Sequence, residues 1–86
     1  MFMTQKEFLE FINKYNSVDR KLIKGNLKRI MKEKDFKLKD IIELGYNKHN
    51  AAAWINPAAP NIPMHWQALH VSTAYNFDVR EFLQGA

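Results

Sequence analysis

Gly45 and Pro57 bracket the segment YNKHNAAAWIN, and together they constrain this chain more than any other pair of residues. Glycine is the residue that most easily ends a helix in the left-handed conformation, so a preceding helix is expected to stop at Leu44-Gly45. Proline disfavours the α conformation at Asn56 and removes an N–H, so a following helix must stop there. Between them Asn47 can cap, and alanines at 51, 52 and 53 favour helix strongly. The bracket therefore admits one short helix, from Asn47 to Ile55, and nothing longer.

The rest of the chain reads as helix as well. Thr4 with Glu7 forms a capping box, and Phe8, Leu9, Phe11, Ile12 and Tyr15 recur at helical spacing up to Tyr15. Ser17 is expected to cap a second helix from about Val18 to Lys34. There Ile23, Leu27, Ile30 and Met31 form an apolar stripe, and Lys21, Lys24, Lys28 and Lys32 a basic one. Gly25 lies inside it, so this helix is expected either to start late, near Gly25, or to bend there. A third, short helix is expected over Leu38 to Leu44. NPAAPNIP reads as a stiff extended loop. A fifth helix is then expected around Met64, Trp66, Leu69, Val71 and Tyr75, followed by a terminal helical turn at Val79, Phe82 and Leu83. No period-two pattern competes, so the fold class is all-α. Trp54 and Trp66 are both expected in the core, because large aromatics dominate small cores.

Composition narrows the function classes. Eighty-six residues, 47% of them apolar, suit one globular domain. There is no cysteine, which excludes disulfides and thiolate metal sites. No apolar run reaches membrane-spanning length, and MFMTQKEF lacks the apolar core of a signal peptide, so a soluble, cytoplasmic protein is expected. The histidines do not cluster: His65 and His70 fall on different helix faces, and no metal site or cofactor is expected. No nucleophile, base and carboxylate stand at catalytic spacing, and no glycine-rich phosphate loop is present. The chain is not expected to be an enzyme.

Charge points elsewhere. The net charge is +4, with nine Lys or Arg between Arg20 and Lys39 against only Glu33 and Asp35. From Leu44 through Phe77 there is no carboxylate at all. A surface that approaches phosphates collects cations and avoids acids. Lysine-rich helices are also often plain solvated faces, and charge alone leaves both readings open.

IKGNLKRIMKEKDFKLKDIIELGYNKHNAAAWINP, Ile23 to Pro57, resembles the helix-turn-helix domain of Cro/CI-type (XRE-like) phage and plasmid repressors. The likeness continues more weakly through NIPMHWQALHVSTAYNFDVREFL and leaves Phe2 to Asn16 outside. Leu44-Gly45 stands at the end of the family's second helix, Trp54 falls nine residues later, and WINP occupies the place where WENG is common. The tail YNFDVREFL is similar to the family's closing LNVSLDELL. Pro57 replaces the αL glycine of the family's helix exit, and three further positions depart from the pattern. Ile41 replaces a small residue on helix two, Ala51 replaces a β-branched one facing it, and Lys37 stands where glutamine is frequent. The first two imply a volume swap that conserves core volume.

The resemblance implies a lambda-repressor-like helix-turn-helix bundle of about five helices with an extra N-terminal helix. It divides the chain into residues 1–17, an accessory helix that caps the domain or contributes to a dimer contact, and residues 18–86, the DNA-binding domain. It further implies a sequence-specific transcriptional regulator, a phage or mobile-element type repressor, acting as a homodimer on a double-stranded DNA operator. Helix 47–55 would read the major groove, where Asn pairs with adenine and Lys donates to guanine. The implied DNA-binding residues are Lys37, Asn47, Lys48, His49, Asn50, Ala53 and Asn56. Asn47 is a helix cap under either reading, and His49 is equally suited to plain surface. The alternative is a protein-binding module on the same fold, an inhibitor or anti-repressor with a regulatory protein partner and little DNA binding. The alanine-rich helix, its proline exit and the upstream position of the basic residues favour that alternative.

Overall fold

The computed structural model describes residues 3–86, and among them the chain is all-helical. Five α-helices follow one another: α1 (Gln5–Ser17), α2 (Arg20–Glu33), α3 (Leu38–Glu43), α4 (Lys48–Ile55) and α5 (His65–Ala74). A 3-10 helix, Val79–Leu83, closes the chain. None of the described helices is long and apolar enough to cross a membrane.

The boundaries follow local chemistry. At α1 the Thr4 hydroxyl accepts from the Glu7 N–H at 3.1 Å, and the Glu7 carboxylate accepts from the Thr4 N–H at 3.0 Å. Ser17 does not cap the second helix as expected. It is the last residue of α1, and its hydroxyl donates to the Asn13 carbonyl at 2.7 Å. Asp19 caps α2 instead, its carboxylate accepting from the Lys21 N–H at 2.9 Å. A carboxylate at that position also complements the positive end of the helix dipole. α2 then runs unbroken through Gly25 to Glu33, so the helix does not wait for Gly25 to begin. Leu44 caps the end of α3, and Gly45 after it takes a φ of +112°, the positive value expected of a helix-ending glycine.

One apolar core unites the chain. Phe11 and Tyr15 of α1 are buried in the same cluster as Ile23, Leu27 and Ile30 of α2, Ile41 of α3, Ala51 and Trp54 of α4, and Val71 of α5. α1 thus packs into the body rather than beside it. The C-terminal 3-10 helix inserts Phe82 and Leu83 into this core and rests on α2. Buried Asn26 holds it there, donating to the carbonyls of Phe82 at 2.7 Å and Gln84 at 3.0 Å. Arg80 binds Asp78 at 2.6 Å and reaches Glu7 on α1 at 2.9 Å. The cap contacts to Thr4, together with this positive neighbour, hold the Glu7 carboxyl below its ordinary range.

One expected core residue, Trp66, lies outside, and so does Leu9 from the apolar face of α1. Trp66 is 59% exposed and Leu9 60% exposed. On α5 the inward positions are Ala68, Val71 and Ser72, which turns Trp66, His70 and Thr73 to the opposite side. Small residues let the helix sit close on the core, and they, rather than the tryptophan, select its face.

Candidate functional site

The first turn of α4 displays its polar side chains together. Asn47 caps the helix: its side-chain oxygen accepts from the N–H groups of His49 at 2.8 Å and Asn50 at 3.4 Å. With that oxygen committed, the Asn47 amide nitrogen remains for a partner. Lys48, His49 and Asn50 are exposed beside it, while Ala51 and Trp54 face inward and are buried. α4 packs against both α3 and α2, so its outer face is held by two neighbours at fixed orientation.

The turn leading into α4 is anchored from α5. Tyr46 packs edge-on against Trp54 with ring centroids 5.2 Å apart, and its hydroxyl shares a hydrogen bond of 2.5 Å with His70 Nδ1. Partial burial pushes the Tyr46 hydroxyl above its ordinary pKa. Trp66 lies on the same tyrosine at 6.2 Å. This aromatic group adjoins the polar turn, and spacing in the sequence does not reveal it.

The remaining expected residues are dispersed. Lys37 is exposed at the start of α3, where its N–H donates to the Asp40 carboxylate at 2.8 Å. Ala53 is half-buried and Asn56 exposed, both at the far end of α4. Ala53 lies three and four residues beyond Asn50 and His49, about one turn further along α4, whereas Asn56 follows the end of the helix, about 9 Å beyond Asn50 along its axis. The Asn56 side chain is engaged in its own turn, accepting from the Ala58 N–H at 3.0 Å.

The exit of α4 is organised by a lysine expected on the solvent side. Lys21, Lys28 and Lys32 of the basic stripe are exposed, but Lys24 is only 3% exposed. Its ammonium donates to the Ala53 carbonyl at 2.5 Å and to the carbonyl of Asn61. Desolvation first, and the charge of Arg20 second, lower its pKa. The signal was present in the spacing: Lys24 lies three and seven residues before Leu27 and Met31, so it borders the apolar stripe as well as the basic one. Asn56 is extended at φ −88°, ψ 113°, as a residue before proline must be. Lys24 from α2 thus secures the end of α4.

The geometry amounts to a rigid, carboxylate-free helix end bearing one fixed cation and three further polar side chains. Such a surface suits a hydrogen-bonding, anionic partner. Comparison with protein-family models, with curated proteins and with solved structures returns no match to this chain.

Proposed function

We propose that the chain is a sequence-specific DNA-binding transcriptional regulator of the Cro/CI-type (XRE-like) kind, a phage or mobile-element type repressor. In this reading α3 and α4 form the helix-turn-helix of a lambda-repressor-like bundle, and α1 is the additional element. Lys48, His49 and Asn50 enter the major groove, with Asn47 and Lys37 serving phosphates near the start of α4 and α3. A homodimer places two such helices about 34–36 Å apart on successive major grooves of a double-stranded operator.

The observation that carries the reading is the outward first turn of α4 beside an inward Ala51 and Trp54. The absence of Asp and Glu from Leu44 through Phe77 supports it, since no acid in that stretch repels a phosphate.

Selection of bound duplexes from a random pool tests it. The wild-type chain is expected to enrich a two-fold symmetric site, and Asn50→Ala is expected to cost about 1–3 kcal/mol and relax one base position. If neither Lys48→Ala nor Asn50→Ala changes affinity or preferred bases, α4 is not a reading helix.

A further inference from the structure

A second site lies at the other end of Trp66. Where α1 ends and α2 and α5 begin, a cleft of about 540 Å³ opens to solvent. This volume falls in the range of small-molecule sites. Its walls carry three kinds of chemistry and no carboxylate.

The flat wall is Trp66, exposed over 59% of its surface and backed by Tyr46 at 6.2 Å. The cationic wall is Arg20. One guanidinium nitrogen donates to the Pro60 carbonyl at 3.0 Å, which positions the fork while leaving its other donors free to meet an anion. The hydrogen-bonding wall is Asn16 and His65, joined to each other at 3.0 Å. The His65 ring is set edge-on to Tyr15 at 5.2 Å, so its position is fixed by the core. Asn61 completes the rim, its backbone carbonyl held by Lys24.

A matching ligand needs a flat unsaturated ring, a polar edge on that ring and an anionic group a few ångströms away. We propose that this cleft binds a nucleotide unit, its base stacked on Trp66, its edge toward the Asn16 and Asn61 amides, and its phosphate on Arg20. Simple carboxylates lack the ring, and an acidic peptide lacks the polar aromatic edge. Stacking on an exposed aromatic accepts any base, so the site has little base preference. The cleft shares Trp66 with the aromatic group that supports the turn into α4, but none of the α4 residues proposed to meet DNA lines it.

Two probes distinguish a free nucleotide from one within a strand: thymidine 5′-monophosphate, and a short fluorescein-labelled single-stranded oligothymidylate. Binding of the first is read by isothermal titration calorimetry, which needs no tryptophan reporter and so applies equally to the Trp66 variants. Binding of the second is read by anisotropy. Saturable binding of either probe is expected, weakened roughly tenfold by Trp66→Leu and by Arg20→Gln, and largely retained in Trp66→Phe. Lys6→Gln, which removes an exposed charge on α1 far from the cleft walls, is expected to bind as wild type. Circular dichroism confirms that each variant is folded. Response to the monophosphate identifies a free-nucleotide site, and response to the oligonucleotide alone a strand site. Absence of binding by both probes at millimolar concentration, or binding indifferent to Trp66→Leu and Arg20→Gln, overturns the proposal. Lys48→Ala and Asn50→Ala read the α4 surface separately, so the two sites can fail independently.

Discussion

The ammonium of Lys24 on α2 lies 2.5 Å from the carbonyl oxygen of Ala53, twenty-nine residues further along the chain. A buried cation thereby meets the negative end of α4 and joins the helix exit to the proline loop through Asn61. Lys24→Met keeps the aliphatic stem and removes the donor. It is expected to destabilise the fold by about 2 kcal/mol, the range for hydrogen bonds to charged groups. Lys21→Met, Lys28→Met and Lys32→Met, all at exposed positions, are expected to stay within about 0.5 kcal/mol. Urea melts of the four variants check this; equal midpoints would show that Lys24 contributes nothing.

The same lysine gives stability a defined response to alkali. Its folded pKa is lowered from 10.5, so the folded chain releases this proton before the unfolded chain does. Between the folded value and 10.5 the unfolded state holds more protons, and the contribution of this group rises with pH. A Lys24→Met variant is expected to lack that rise when melts are compared across the alkaline range.

Tyr15 acts in the opposite sense. Its buried hydroxyl donates to the Pro63 carbonyl at 2.6 Å, and burial raises its pKa far above the ordinary 10.0. The contribution is complete below about pH 10 and is lost as the pH climbs beyond it, because only the unfolded chain ionises there. Absorbance of the phenolate should therefore appear for Tyr15 together with unfolding, not before it. Tyr15→Phe leaves the Pro63 carbonyl without this donor and is expected to cost about 1–2 kcal/mol at neutral pH.

Ile41 on α3 and Ala51 on α4 are both fully buried, on helices that pack against each other. Ala51→Val adds volume and is expected to cost about 1–3 kcal/mol, while Ile41→Val alone costs about 0.5–1.5 kcal/mol. If the pair shares one space, the double variant is more stable than the sum of the two. A double-mutant cycle by chemical denaturation measures this, and additivity would mean that the two side chains fill separate spaces.

Gly25 occupies an exposed position in a continuous helix, and a methyl group added there would meet nothing within 4 Å. Gly25→Ala is expected to stabilise the protein by about 1 kcal/mol and to raise the melting temperature by about 4–8 °C. A neutral or lower melting temperature would show that the position needs glycine for a reason outside helix propensity.

The sequence by itself determined most of the helix boundaries, the start of α2 excepted, where Asp19 and not Ser17 is the cap. Thr4 with Glu7, Asn47, Gly45 and Pro57 act through neighbours within four residues, and such short-range rules can be read along the chain. The inward placement of Ala51 and Trp54 beside an outward Lys48, His49 and Asn50 was equally legible, because one helical turn fixes their relative directions. Only the tertiary structure decided the fate of Lys24 and Trp66. Lys24 lies at the border of two stripes, and the partners that make its burial tolerable are carbonyls 29 and 37 residues away. α5 carries apolar residues around its circumference, so spacing could not say which would turn inward. Close approach through Ala68 and Ser72 set that rotation and left Trp66 outside. Both outcomes depend on which surfaces meet, a matter of long-range packing that no local pattern encodes.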